Sequence, residues 1–204
     1  MVTSRASKQS FSARLLAQYK PGEVFSSYDF SGCGVAESTI RSTFSRLSRQ
    51  GAILRLSGGY YAVPRISRVS GRAIYPDSEA VAIAVARRSR SKYMPSGAIL
   101  ANKYQLSEQV PARAEYLVNA APRQISLGKS VVQFRRASKG DLDMAGTLQG
   151  ELTLALRFMG PMVKDNRKVR ACLSRALSPA GKSELNSWAP SAPAWLQPLI
   201  SNLP

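Results

Sequence analysis

Between residues 36 and 50 the chain gathers side chains suited to holding a polyanion. Stepped at about 100° per residue, Ser38, Arg41, Ser42, Ser45, Arg46 and Arg49 fall on one side of a helix with no acid among them. Ala36, Ile40, Phe44 and Leu47 form the opposite stripe, which predicts a face turned to a core. A guanidinium can donate two hydrogen bonds to a guanine edge, and a serine hydroxyl serves base edges or phosphates, so this face suits a DNA major groove. The bland alternative is a basic helix that only faces water. Arg55 and the turn Ser57-Gly58-Gly59 come next, where small residues allow close approach to a sugar-phosphate backbone. Of Tyr60 and Tyr61, strand alternation sends one to the core and the other outward. Arg65 and Arg68 are expected on phosphates, with Arg41, Ser42 and Ser45 nearest the bases.

Other chemistry is poorly supported. Gly181-Lys182-Ser183 resembles the end of a phosphate-binding loop, but Ala176 stands where the earlier glycine belongs and the flank reads as helix. Asp141 and Asp143 would suit a magnesium-holding pair, yet no Gly-Ser pair precedes them and Gly140 favours a loop or helix start. The chain has no histidine, which removes the commonest general base and metal ligand. Its two cysteines, Cys33 and Cys172, read as structural thiols. The chain is expected not to be an enzyme, and to need no metal or cofactor.

The elements around the basic face follow an ordered pattern. Phe11, Leu15, Leu16 and Tyr19 predict a first helix over about Ser7–Tyr19, stopped by Lys20-Pro21-Gly22. A short second helix begins near Ser26 or Ser27, and Ser31-Gly32-Cys33-Gly34 is a tight turn. The basic helix spans Ala36–Gln50, with Gly51 as its stop. Two β-prone runs on either side of Gly58-Gly59 then make a hairpin. Helix, helix, turn, helix, hairpin is the order of a winged helix-turn-helix.

We therefore expect an α+β chain: a winged helix-turn-helix over 1–64, a basic linker over 65–75, and a smaller mixed domain over 76–204. In the last, Asp77-Ser78-Glu79 opens a helix to about Arg90, and a second helix covers Ser96–Tyr104. Runs at 115–118, 124–127 and 131–135 predict a small antiparallel meander. Helices follow over Leu148–Met159 and Val163–Leu177, then an apolar tail over Ser191–Leu203.

Charge supports the same partner. Of 204 residues, 29 are Lys or Arg and 12 are Asp or Glu, a formal net charge of +17 with a pI near 10.6. That surplus attracts phosphate backbones, with an affinity that falls as salt rises. The longest apolar run, Ala80–Ala86, is far short of the roughly 20 residues a membrane span needs. No signal-peptide core is visible at Met1–Arg5, so a cytoplasmic location is expected. The competing partner is a folded RNA gripped by shape, but the predicted strands offer chiefly Tyr116 and Phe134, which alternate readily into a core.

Arg46-Leu47 through Gly51, Leu54-Arg55 and Gly59-Tyr60-Tyr61-Ala62-Val63-Pro64 resemble the wing of AbiEi-type antitoxins of type IV toxin–antitoxin, or abortive infection, systems. Pro95-Ser96-Gly97-Ala98, Leu106 through Ala112, Tyr116-Leu117, Ile125-Ser126-Leu127-Gly128, Ala189-Pro190 and Ala194-Trp195 extend the resemblance. It implies a repressor of its own operon, bound to inverted repeats in the promoter. It also implies a C-terminal domain that opposes a nucleotidyltransferase-like toxin.

Overall fold

A computed structural model of the chain describes residues 10–160, 166–201 and 203, and shows a mixed α+β architecture with small antiparallel sheets. Helix α1 (Phe11–Gln18) opens on Ser10, whose hydroxyl accepts from the Ala13 amide. The expected start at Ser7 lies outside the described residues. Strand β1 (Val24–Ser26) leads into one 3-10 turn, Ser27–Phe30, held by reciprocal capping between Ser26 and Asp29. The expected second helix is thus a single turn, because Gly32 and Gly34 at φ +82° and +76° take the chain away at once. Helix α2 (Glu37–Arg49) begins after Ala36 and ends before Gly51, at φ +72°. Ala36 is exposed rather than part of the core stripe, because it caps the helix instead of joining its first turn.

Strands β2 (Leu54–Arg55) and β3 (Tyr60–Ala62) complete an antiparallel sheet of order β1-β3-β2, with Val24 and Leu54 both opposite Ala62. One face carries Leu15, Phe25, Phe30, Ile40, Phe44, Leu47 and Ile53 as a core. Phe44 meets Phe25 and Phe30 edge-on, at 5.5 and 5.6 Å between centroids. Helix α3 (Ser78–Ser89), capped by Asp77, packs against β1 through a face that buries Val81, Ala82, Val85 and Ala86. Neither tyrosine of β3 therefore points into water. Tyr60 is fully buried, and Tyr61 is half-buried with its ring 4.8 Å from that of Phe44. The two rings do alternate, Tyr61 onto the aromatic core and Tyr60 beneath Arg88, but both sides are covered, so the expected outward-facing tyrosine is absent.

The stretch expected as a linker contains a two-stranded ribbon, β4 (Arg65–Ile66) with β5 (Ala73–Ile74). The chain divides into two compact units. The first holds the described residues through Arg90 together with Gln124–Val132, and the second holds Ser91–Arg123 and the chain from Gln133 onward. The division at Arg90 differs from the boundary expected near Pro76, since α3 closes the first unit's sheet.

A four-stranded sheet has the order β6-β7-β9-β8, with β6 (Tyr93–Pro95), β7 (Ala114–Val118), β8 (Arg123–Leu127) and β9 (Ser130–Arg136). The three expected runs are present, but they do not form a sequential meander. The tight turn at Gly128, φ +62°, pairs β8 with β9, and the longer β9 takes the place beside β7. In the second unit, α4 (Gly97–Lys103) crosses α6 (Leu148–Met159) closely. A Cβ at Gly97 would collide with Phe158 and the Leu154 carbonyl, so glycine sets that approach. Helices α5 (Lys139–Asp143), α7 (Asn166–Ala176), α8 (Pro179–Trp188) and α9 (Gln197–Ile200) follow. An aliphatic core joins Leu100, Leu152, Leu156, Leu173, Leu185 and Leu199. The expected start of α7 at Val163 lies outside the described residues.

Candidate nucleic-acid interface

Helix α2 buries Ile40, Phe44 and Leu47, and the 3.6-residue period turns Ser38, Arg41, Ser42, Ser45, Arg46 and Arg49 to solvent. All six are exposed. Their immediate partners lie on the same helix. Arg41 pairs with Glu37, one turn earlier, so the face is less free of acid than the wheel suggests. Arg49 donates to Ser45 Oγ at 3.1 Å, Arg46 donates to Gln50 Oε1 at 3.4 Å, and Ser42 Oγ donates to the Thr39 carbonyl at 3.0 Å. Among the described residues Arg46 and Arg49 meet no acid, and exposed bonds of this kind exchange readily for a stronger anion.

The hairpin tip is held more firmly. Gly58 sits at φ +70°, and the Leu56 amide bonds the Tyr60 carbonyl at 2.8 Å beneath it. The Ser57 hydroxyl accepts from the Ser126 amide at 2.8 Å, and the Gly58 carbonyl accepts from Arg88 Nη1 at 3.2 Å. Arg88 also lies over the Tyr60 ring, 5.5 Å from its centroid. Ser57 and Gly58 remain exposed, as does Arg55 on β2. Ser126 and Arg88 position the tip and were missed by sequence reasoning, since both lie far from it along the chain.

Arg65, expected on a phosphate, is exposed and has contacts within the first unit. Its guanidinium donates to the Pro21 carbonyl and pairs with Asp77, both at 3.4 Å, in space left open by Gly22. Arg68 stands exposed at the ribbon tip.

The last turn of α3 carries a second arginine group. Arg87 Nε donates to Asp29 at 2.6 Å while Nη2 reaches the Val24 carbonyl at 2.8 Å, and Arg90 donates to the Tyr28 hydroxyl at 3.1 Å. Burial and the Asp29 charge push the Tyr19 phenol above its usual range, opposed by Arg87.

The motifs set aside in the sequence have ordinary places. Gly181-Lys182-Ser183 lies within α8. Asp141 bonds the Ser138 hydroxyl at 2.7 Å and pairs with Arg157 at 3.3 Å, while Asp143 is exposed at the end of α5. Among the described residues no three His, Cys, Asp or Glu side chains gather as a metal site, and no helix is long and apolar enough to cross a membrane.

The chain matches the model of DUF6088, a family of unknown function, over residues 13–176. It belongs to that family. The matched span takes in α2, the β2–β3 hairpin, the β4–β5 ribbon and the second unit as far as the end of α7. No curated protein and no solved structure matches the chain.

Proposed function

We propose that the first unit is a winged helix-turn-helix that binds duplex DNA, with α2 in the major groove and the β2–β3 hairpin as the wing, and that the chain is a cytoplasmic transcriptional repressor. The observation that carries this reading is the exposed face of α2, where Arg46 and Arg49 meet no acid among the described residues. The sheet order β1-β3-β2 supports it, because it leaves the β2–β3 hairpin following α2, as a wing does. Between Glu37 and Asp77 the sequence has seven arginines and no acid. The test is mobility shift of the full chain on duplex from upstream of its own gene, at rising salt. The variant Arg41→Ala/Arg46→Ala/Arg49→Ala should lose about 1–3 kcal/mol for each base-edge contact removed. Wild-type binding that is absent at low salt would sink the reading.

The resemblance to AbiEi-type antitoxins supports a second role, opposition to a nucleotidyltransferase-like toxin by the second unit. From Asp141 onward seven basic residues face five acidic ones, a balance that favours protein over DNA as the partner. The triple variant, expressed from an unrelated promoter, should still rescue growth of cells making a toxin encoded beside this gene. Rescue lost together with DNA binding would argue against two separate roles.

A further inference from the structure

Directly after the proposed wing the chain makes its β4–β5 ribbon, in which Arg65 opposes Ile74 and Ile66 opposes Ala73. The tip closes through the Ser67 amide on the Arg72 carbonyl and the Gly71 amide on the Ser67 carbonyl, both at 2.9 Å. Val69 at that tip is 100% exposed, and Ile66 and Ile74 are 60% and 47% exposed. Single exposed apolar residues are ordinary on a protein surface. Three on one short ribbon are harder to dismiss, because two strand pairs alone give little stability.

The base of the ribbon has contacts to the rest of the first unit, whereas Val69 at its tip is fully exposed. Arg65 ties the base to Pro21 and Asp77, and the Tyr75 ring lies so close to Gly128 that a Cβ there would come within 2.8 Å of it. Arg68 and Arg72 stand exposed before and after Val69 in the sequence, in the acid-free span that follows Glu37 and also holds the arginines of α2. An exposed apolar side chain with an arginine before it and another after it along the chain suits the minor groove. That groove is narrow and strongly negative, draws arginine to its walls, and yields to apolar wedges that part a base step and kink the duplex.

We propose that the ribbon inserts Val69 into the minor groove between Arg68 and Arg72 and bends the duplex on which α2 docks. This rests on the DNA-binding reading of α2. The experiment uses the full chain and a duplex from upstream of its own gene, labelled at both ends, and follows affinity together with end-to-end energy transfer. Wild type should bring the ends closer. Val69→Ser should bind about tenfold more weakly and lose most of the bend, whereas Val69→Leu should keep both. Arg68→Ala/Arg72→Ala should lower the slope of log affinity against log salt by about 2, one for each phosphate contact. A Val69→Ser variant that bends DNA like wild type overturns the ribbon's role and leaves α2 untouched. Altered self-association in Val69→Ser with unchanged DNA bending overturns it in favour of protein contact. Wild-type chain that binds no duplex overturns both readings together.

Discussion

Asp29 in the first unit and Glu151 in the second are both largely buried carboxylates, with side chains 7% and 16% exposed, but they are answered differently. Asp29 takes the Ser26 amide at 2.6 Å and the planar fork of Arg87, which reaches it from α3. Glu151 takes the Lys103 ammonium and the Tyr104 hydroxyl, adjacent residues at the end of α4. Remove Arg87 and Asp29 has no counter-charge, and α3 loses its tie to β1. Remove Tyr104 and Lys103 still answers Glu151. Each carboxylate thus has one counter-charge and a neutral donor beside it, so losing the charge and losing the neutral donor can be compared between the two units.

The largest expected effect breaks the first of these ties. Arg87→Ala should lower unfolding free energy by about 2–3 kcal/mol, less than a fully buried pair would lose because Arg87 itself is partly exposed. Urea denaturation measures it, and a loss below about 0.5 kcal/mol, the range of ordinary surface substitutions, would show that Asp29 does not depend on Arg87.

An intermediate effect sharpens the second. Tyr104→Phe should cost about 1–2 kcal/mol at neutral pH for the hydrogen bond lost from a buried carboxylate. It should also change the alkaline limb. Burial, then the bond to Glu151, hold the Tyr104 phenol well above its usual range. The folded state therefore stays protonated while the unfolded chain ionises near pH 10, so the stability is complete below that pH and is lost as pH rises beyond it. Urea midpoints taken from neutral to alkaline pH should fall less steeply in the variant. Tyr19, also raised, contributes in the same direction in the first unit.

The smallest effect is the control. Arg46→Ala should shift stability by less than about 0.5 kcal/mol while still weakening DNA binding, because its present partner is only Gln50 on the same exposed face.

Arg46-Leu47-Ser48-Arg49 and Arg87-Arg88-Ser89-Arg90 look alike in sequence, each at a helix end, yet one group faces water and the other braces the first unit. Local pattern was enough for α2, since its apolar stripe, its stop at Gly51 and the hairpin after it are set by neighbouring residues. It also placed α6 and its bounds, and the burial of Tyr116 and Phe134. What it missed depends on pairing across the chain. β6 is three residues long and forms only by meeting β7. Arg65 lies along the surface to Pro21 and Asp77 because Gly22 leaves it room, and Tyr60 is buried with Arg88 of α3 over its ring. None of these leaves a mark on the residues beside it.

The first unit includes Gln124–Val132, so the chain leaves it at Arg90 and re-enters it more than thirty residues later. During synthesis, at roughly 5–20 residues per second, α2 and the proposed wing emerge seconds before the Ser126 amide that meets Ser57. The nascent unit must wait for a segment that belongs, on both sides, to the other. The two halves are thus linked in time, and a ribosome pausing within 91–123 would hold the first unit without the hairpin tip that completes it.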